Sequence, residues 1–151
     1  MPTHVIFTYG ALMSPEIRKW KDIDIIRENP YHLRGWETLY ERLVPNKKTS
    51  VYYDKKYPET KYPMLTMLNI CKNNNKSSYG KLIWVNDQNL EKIKKLEEQY
   101  EIDKCKRSSG HILIFITKNK SLLNKRIPAN SVYKRIVEKE RQKVKNVYKS
   151  L

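Results

Sequence analysis

"VIFTYGALMSPEIRKW", residues Val5 to Trp20, is the stretch on which the reading of this chain turns. Val5, Ile6, Phe7 and Thr8 run together without a charge, the pattern of a buried strand. Tyr9-Gly10-Ala11-Leu12 then makes a glycine turn. Ser14-Pro15 opens a helix, with serine as the N-cap and proline at the first helical position, so a helix is expected from Pro15 to about Lys21. A strand that passes through such a turn into a helix leaves backbone N–H groups pointing outward, where they can cradle an anion. The same turn is also a tight connection and nothing more, unless a second element gives it a task.

Outward from this stretch, "NPYHLRGWETLYERL" (Asn29 to Leu43) reads as strand with a bend at Gly35, and the three prolines of "VPNKKTSVYYDKKYPETKYPML" predict short β-like pieces alternating with turns. "CKNNNKSSYG" is expected to be a polar loop with Lys72 to Lys76 at its tip. "YGKLIWV" (Tyr79 to Val85) and the apolar "GHILIFIT" (Gly110 to Thr117) read as strands, and "SVYKRIVEKERQKVKNVYKSL" as a basic helix. No internal repeat or linker is evident. The expectation is one domain over residues 1–151, with a basic C-terminal helix at about 131–149. Strands and helices mix irregularly, which points to α+β or to a barrel carrying helices.

The 151 residues include 31 Lys and Arg against 16 Asp and Glu, a net charge of +15 at pH 7. That balance favours anionic partners, from nucleic acid to small carboxylates. Abundant Lys, Asn, Ile and Tyr are also what an AT-rich coding sequence produces, so charge alone decides nothing. No run approaches the roughly 20 apolar residues that span a bilayer, and no membrane association is expected. "MPTHVIF" lacks the features of a secretory leader. Cys71 and Cys105 match no metal spacing and read as free thiols in a reducing compartment, so the expected location is the cytoplasm. His4, His32 and His111 are scattered and read as packing or surface residues.

The second element lies in "NDQNLEKIKKLEEQY", read as a helix from Asp87, its N-cap, to Tyr100. At about 100° per residue, Leu90, Ile93, Leu96 and Tyr100 form one apolar stripe, and Glu97 falls inside it. Glu91, Lys94 and Glu98 share the opposite face. A carboxyl on a buried face is costly unless it is paired or its pKa rises, and a raised pKa is what a general acid/base uses. Glu97 at the edge of the stripe, snorkelling to water or pairing with a lysine, is the plainer alternative.

Together these elements resemble the γ-glutamylcyclotransferase family, including its γ-glutamylamine cyclotransferase and AIG2-like branches. Tyr9-Gly10-Ala11-Leu12 is similar to the family's YGSL or YGTL turn, and "LRGWETLY" (Leu33 to Tyr40) to its GY or GW step. Tyr62-Pro63-Met64-Leu65 matches a YP-x-L segment, "SYGKLIWV" (Ser78 to Val85) a V-x-G-x-L-Y-x-V strand, and Ile93 to Glu98 the L-D-x-x-E-G helix. The order holds from Val5 to about Tyr133. Ala11 stands where the family has Ser or Thr, Lys94 where it has Asp, and Glu98 where it has a helix-ending Gly, so the helix is expected to continue to Tyr100 or beyond.

The resemblance implies an α+β fold, a small mixed β-barrel with flanking helices and a cavity at its mouth. It also implies an enzyme that releases 5-oxoproline from a γ-glutamyl compound, with Glu97 as catalytic acid/base, Tyr9, Gly10, Ala11 and Leu12 as the substrate-binding turn, and no metal or cofactor. The rival reading is a catalytically inactive relative that binds nucleic acid or a protein partner. It draws on the net charge, on the basic C-terminal helix and on the departures around Glu97; the lysines and tyrosines interleaved in "VYYDKKYPETKYP" could separately stack bases and bind phosphates, although barrel strands also use tyrosine.

Overall fold

Alternation along two strands sets the architecture. In β1 (Thr3–Thr8), Phe7 faces one side of the sheet and Ile6 the other, each 1% exposed. In β5 (Gly110–Ile116), Ile112, Ile114 and Ile116 join the side of Phe7, while Phe115 joins that of Ile6. A sheet apolar on both faces must be covered on both. Helix α3 (Ser131–Lys149) covers the first with Tyr133 and Val137, and α2 (Asp87–Leu96) covers the second with Leu90 and Ile93. The computed structural model describes residues 2–108 and 110–150.

Five strands form one mixed sheet in the order β2-β3-β1-β5-β4. The remaining strands are β2 (Arg27–Pro45), β3 (Met64–Asn86) and β4 (Glu101–Arg107), and a short helix α1 (Pro15–Trp20) follows β1. β3 lies antiparallel between β1 and β2, β5 is parallel to β1, and β4 is antiparallel to β5. The class is α+β with flanking helices, as expected. The term barrel fits it only loosely: the sheet is not closed, and β2 and β4 stand at its opposite edges. The charged side chains along β4 suit an edge that must not recruit further strands. No helix among the described residues is long and apolar enough to cross a membrane.

Five expectations need correction, and one strand lacks a sequence signal. The stretch from Cys71 to Gly80 is not a loop but part of the 23-residue strand β3. Its Asn73–Lys76 segment bulges, four residues facing the single Gly35 (φ +88°) between the pairs Arg34–Ser77 and Trp36–Lys72. Residues 46–63 contain turns without strand pieces. β4 went unrecognised because only Cys105 in it is buried. Helix α2 is capped by Asn86, whose side chain accepts from Asn89 N–H, and it ends at Leu96 instead of Tyr100. Leu96, placed in the buried stripe by periodicity, is 45% exposed.

Candidate functional site

The end of β1 is shaped by one close approach. Gly10 precedes a single 3₁₀ turn, Ala11–Met13, in which Met13 N–H donates to Gly10 O at 3.1 Å and Ser14 N–H to Ala11 O at 3.0 Å. The leading N–H groups of such a turn find no acceptor within it, and those of Ala11 and Leu12 have no backbone acceptor among the described residues. A Cβ at position 10 would meet the Tyr133 hydroxyl at 2.5 Å. Glycine is therefore required for space, so that α3 can press against the turn. Tyr9 is buried and spends its hydroxyl on Phe115 O at 2.5 Å, which ties the end of β1 to β5.

Glu97 reaches the same place from α2. It is the C-cap of that helix, with its N–H bonded to Ile93 O at 2.9 Å, and Tyr100 N–H closes the following turn on Glu97 O at 2.9 Å. Tyr9, Gly10, Ala11, Leu12 and Glu97 all line one cavity of about 380 Å³. Glu97 is half-buried. Protein still surrounds it closely enough that desolvation raises its pKa above the usual carboxylate range, against the pull of Lys21 and Arg42. Glu98 is exposed, as the helical reading required.

Lys21 and Arg42 were not legible as site residues. Arg42 is 4% exposed on β2, where it packs over the Tyr100 ring at 5.4 Å and donates to Leu43 O and Gln99 Oε1. The β2–β3 register slips between Tyr40 and Arg42, so Glu41 and Arg42 are both buried although strict alternation would expose one of them. That bulge hid Arg42. Lys21, just past α1, lies 5.7 Å from the centre of the Tyr52 ring. Tyr52 is carried by the 46–63 segment, which is fastened to the start of α3. Asn130 Nδ2 donates to Tyr52 O at 2.6 Å, and Asp54 Oδ2 accepts from Ser131 N–H and Oγ–H, each at 2.6 Å. The Tyr52 hydroxyl is buried without a partner among the described residues, and burial, with Glu97 adding to it, pushes its pKa up to about 12.

The cavity thus combines one carboxyl poised to hold a proton, two cations that complement an anion, and a turn with unclaimed N–H donors. It can bind a small molecule bearing a carboxylate and transfer a proton beside it. No group of three or more His, Cys, Asp or Glu among the described residues is placed to hold a metal ion.

No protein-family profile matches the sequence, and no curated protein matches it significantly. Solved structures do. A γ-glutamyl cyclotransferase superposes with a TM-score of 0.65 at 14% identity, over 94% of this chain and 80% of its own. An uncharacterized protein from Homo sapiens gives 0.64 at 16% identity, over 96% and 88%. A protein from Arabidopsis thaliana, solved in solution, gives 0.54 at 19% identity, over 99% and 82%. Likeness at these identities establishes the fold, which is γ-glutamyl cyclotransferase-like.

Proposed function

We propose that the chain is a cyclotransferase that releases 5-oxoproline from a γ-glutamyl compound. The observation that carries this reading is the convergence of Glu97 and the Gly10–Leu12 turn on one cavity, in a fold like that of a γ-glutamyl cyclotransferase. In this reaction the substrate's α-ammonium loses a proton, and the resulting amine attacks the γ-carbonyl of the same molecule. A C–N bond from the α-nitrogen to the side-chain carbonyl carbon closes the five-membered ring, and the bond from that same carbon to the departing amine breaks. Glu97 accepts a proton from the α-ammonium and returns it to the leaving nitrogen, and the second proton that the attacking nitrogen sheds on ring closure follows the same route, so that the amine departs as an ammonium. Because the attack is intramolecular, the protein has chiefly to fold the substrate and move that proton. The N–H groups of Ala11 and Leu12 hold the glutamyl end, a task the backbone performs without the hydroxyl that Ala11 lacks. Lys21 and Arg42 favour a departing amine whose only other charge is a carboxylate and disfavour one that carries an additional ammonium, as lysine does.

The test is 5-oxoproline release from glutathione, γ-glutamyl-alanine and γ-glutamyl-ε-lysine by the wild-type protein and Glu97→Gln. We expect release by the wild type and a loss of about 10²–10⁴-fold in the variant, the usual span of a general acid/base. Glutathione and γ-glutamyl-alanine should be preferred to γ-glutamyl-ε-lysine. A folded wild type that is silent on all three substrates overturns the reading. It would shift attention to the exposed Lys134, Arg135, Lys139 and Lys143 of α3 as a surface for polyanions.

A further inference from the structure

Against the carbonyl side of the Gly10–Met13 turn lies a set of charges, buried except for the half-buried Glu28, that the chemistry above does not use. Lys81, toward the C-terminal end of β3, is 8% exposed. Its Nζ donates to Met13 O at 2.9 Å and to Glu140 Oε2 at 3.3 Å, and lies 3.6 Å from Glu28 Oε1. Arg18 of α1, also buried, donates to Leu12 O at 2.9 Å and Met13 O at 3.3 Å, and pairs with Glu28. Two cations thus grip two consecutive carbonyls of the turn, and two carboxylates, from β2 and α3, hold the cations.

Stability alone does not account for this arrangement. Replacing a buried ion pair with well-packed apolar residues is commonly neutral or stabilising, because the charges no longer have to be desolvated. What the ions supply and apolar side chains cannot is direction, through donors fixed on Leu12 O and Met13 O. Helix α3 also meets the turn twice along one face, through Tyr133 at Gly10 and, two helical turns on, through Glu140 and Lys81 at Met13. Fully buried Val137 lies between them on that face.

We propose that Lys81, clamped by Glu140 and Glu28, is a positioning residue that keeps the N–H groups of Ala11 and Leu12 at the cavity wall. Its catalytic consequence rests on the cyclotransferase reading of that cavity, whereas its structural effect does not. The test is the double variant Lys81→Met/Glu140→Leu, which removes the buried pair without leaving a lone charge. Amide hydrogen exchange is followed at Met13 and Ser14, whose N–H groups close the turn, with Ile6 and Phe7 of β1 as internal reference. We expect global stability close to wild type, protection at Met13 and Ser14 reduced about tenfold, and reference amides changed less than about twofold. With γ-glutamyl-alanine, KM should rise while the pH profile governed by Glu97 keeps its shape. Unchanged protection at Met13 and Ser14 overturns the proposal, whatever the activity. A silent wild type overturns the cyclotransferase reading and leaves the exchange result to decide this one. If the double variant does not fold, Glu140→Gln carries the same exchange comparison, and unchanged protection again overturns the proposal.

Discussion

Glu97 owes its setting to where α2 stops. As the C-cap it departs from the helical path and turns its carboxyl into a cavity whose walls strip away much of its hydration. A carboxyl whose folded-state pKa is raised binds its proton more tightly in the folded protein than in the unfolded chain. The stabilisation this brings is fully present below the unfolded carboxylate pKa and is lost as pH rises through the raised one, after which the ionised group is a burden. Gln at this position does not titrate. The difference in Tm between Glu97→Gln and wild type should therefore be small near about pH 4 and grow in favour of the variant toward neutrality. Melting curves across that range decide it, and a difference that stays constant with pH would exclude desolvation of Glu97 as the cause.

Between elements, the tightest coupling is that of α3 to the turn after β1. Gly10→Ala would drive a methyl group into the buried Tyr133 hydroxyl and should cost about 1–3 kcal/mol, the usual range for overpacking. Tyr133→Phe removes the obstructing oxygen, so the double variant should recover most of that loss. Urea denaturation of the four proteins measures the coupling, and simple additivity would refute the contact. Most elements were legible because their signals are local. Ser14 and Pro15 announce α1, and the unbroken apolar run from Ile112 to Ile116 announces β5. β4 was invisible because an edge strand with charges on most positions lacks an apolar period. The exit of α2 was misplaced because the stripe from Leu90 to Tyr100 persists past the point where the chain turns back toward β4. In the site, Glu97 was reached by a helical argument although it caps the helix, and Arg42 was lost to a bulge that only pairing with β3 reveals.

Across the whole molecule the excess of 15 positive charges sets a standing repulsion. Exposed pairs such as Lys92–Asp22 and Lys118–Asp103 offset little of it, since surface ion pairs contribute at most about 1 kcal/mol. Salt weakens the repulsion as the screening length falls from about 30 Å at 10 mM to about 8 Å at 150 mM, while the buried Lys81–Glu140 pair is sheltered from it. Tm should therefore rise over that interval, and a flat or falling Tm in a salt titration would contradict this balance. The bulge in β3 has a different consequence. Asn73–Lys76 hang outside the ladder, with Asn75 N–H turned back on Asn73 Oδ1 at 3.1 Å, while Lys72 and Ser77 hold register on either side. The entropic cost of lengthening a loop grows only logarithmically with its length. None of the residues lining the cavity comes from this stretch. It is a natural port for grafting: a fluorescent reporter or purification handle spliced between Asn74 and Asn75 would ride on the sheet without entering the cavity.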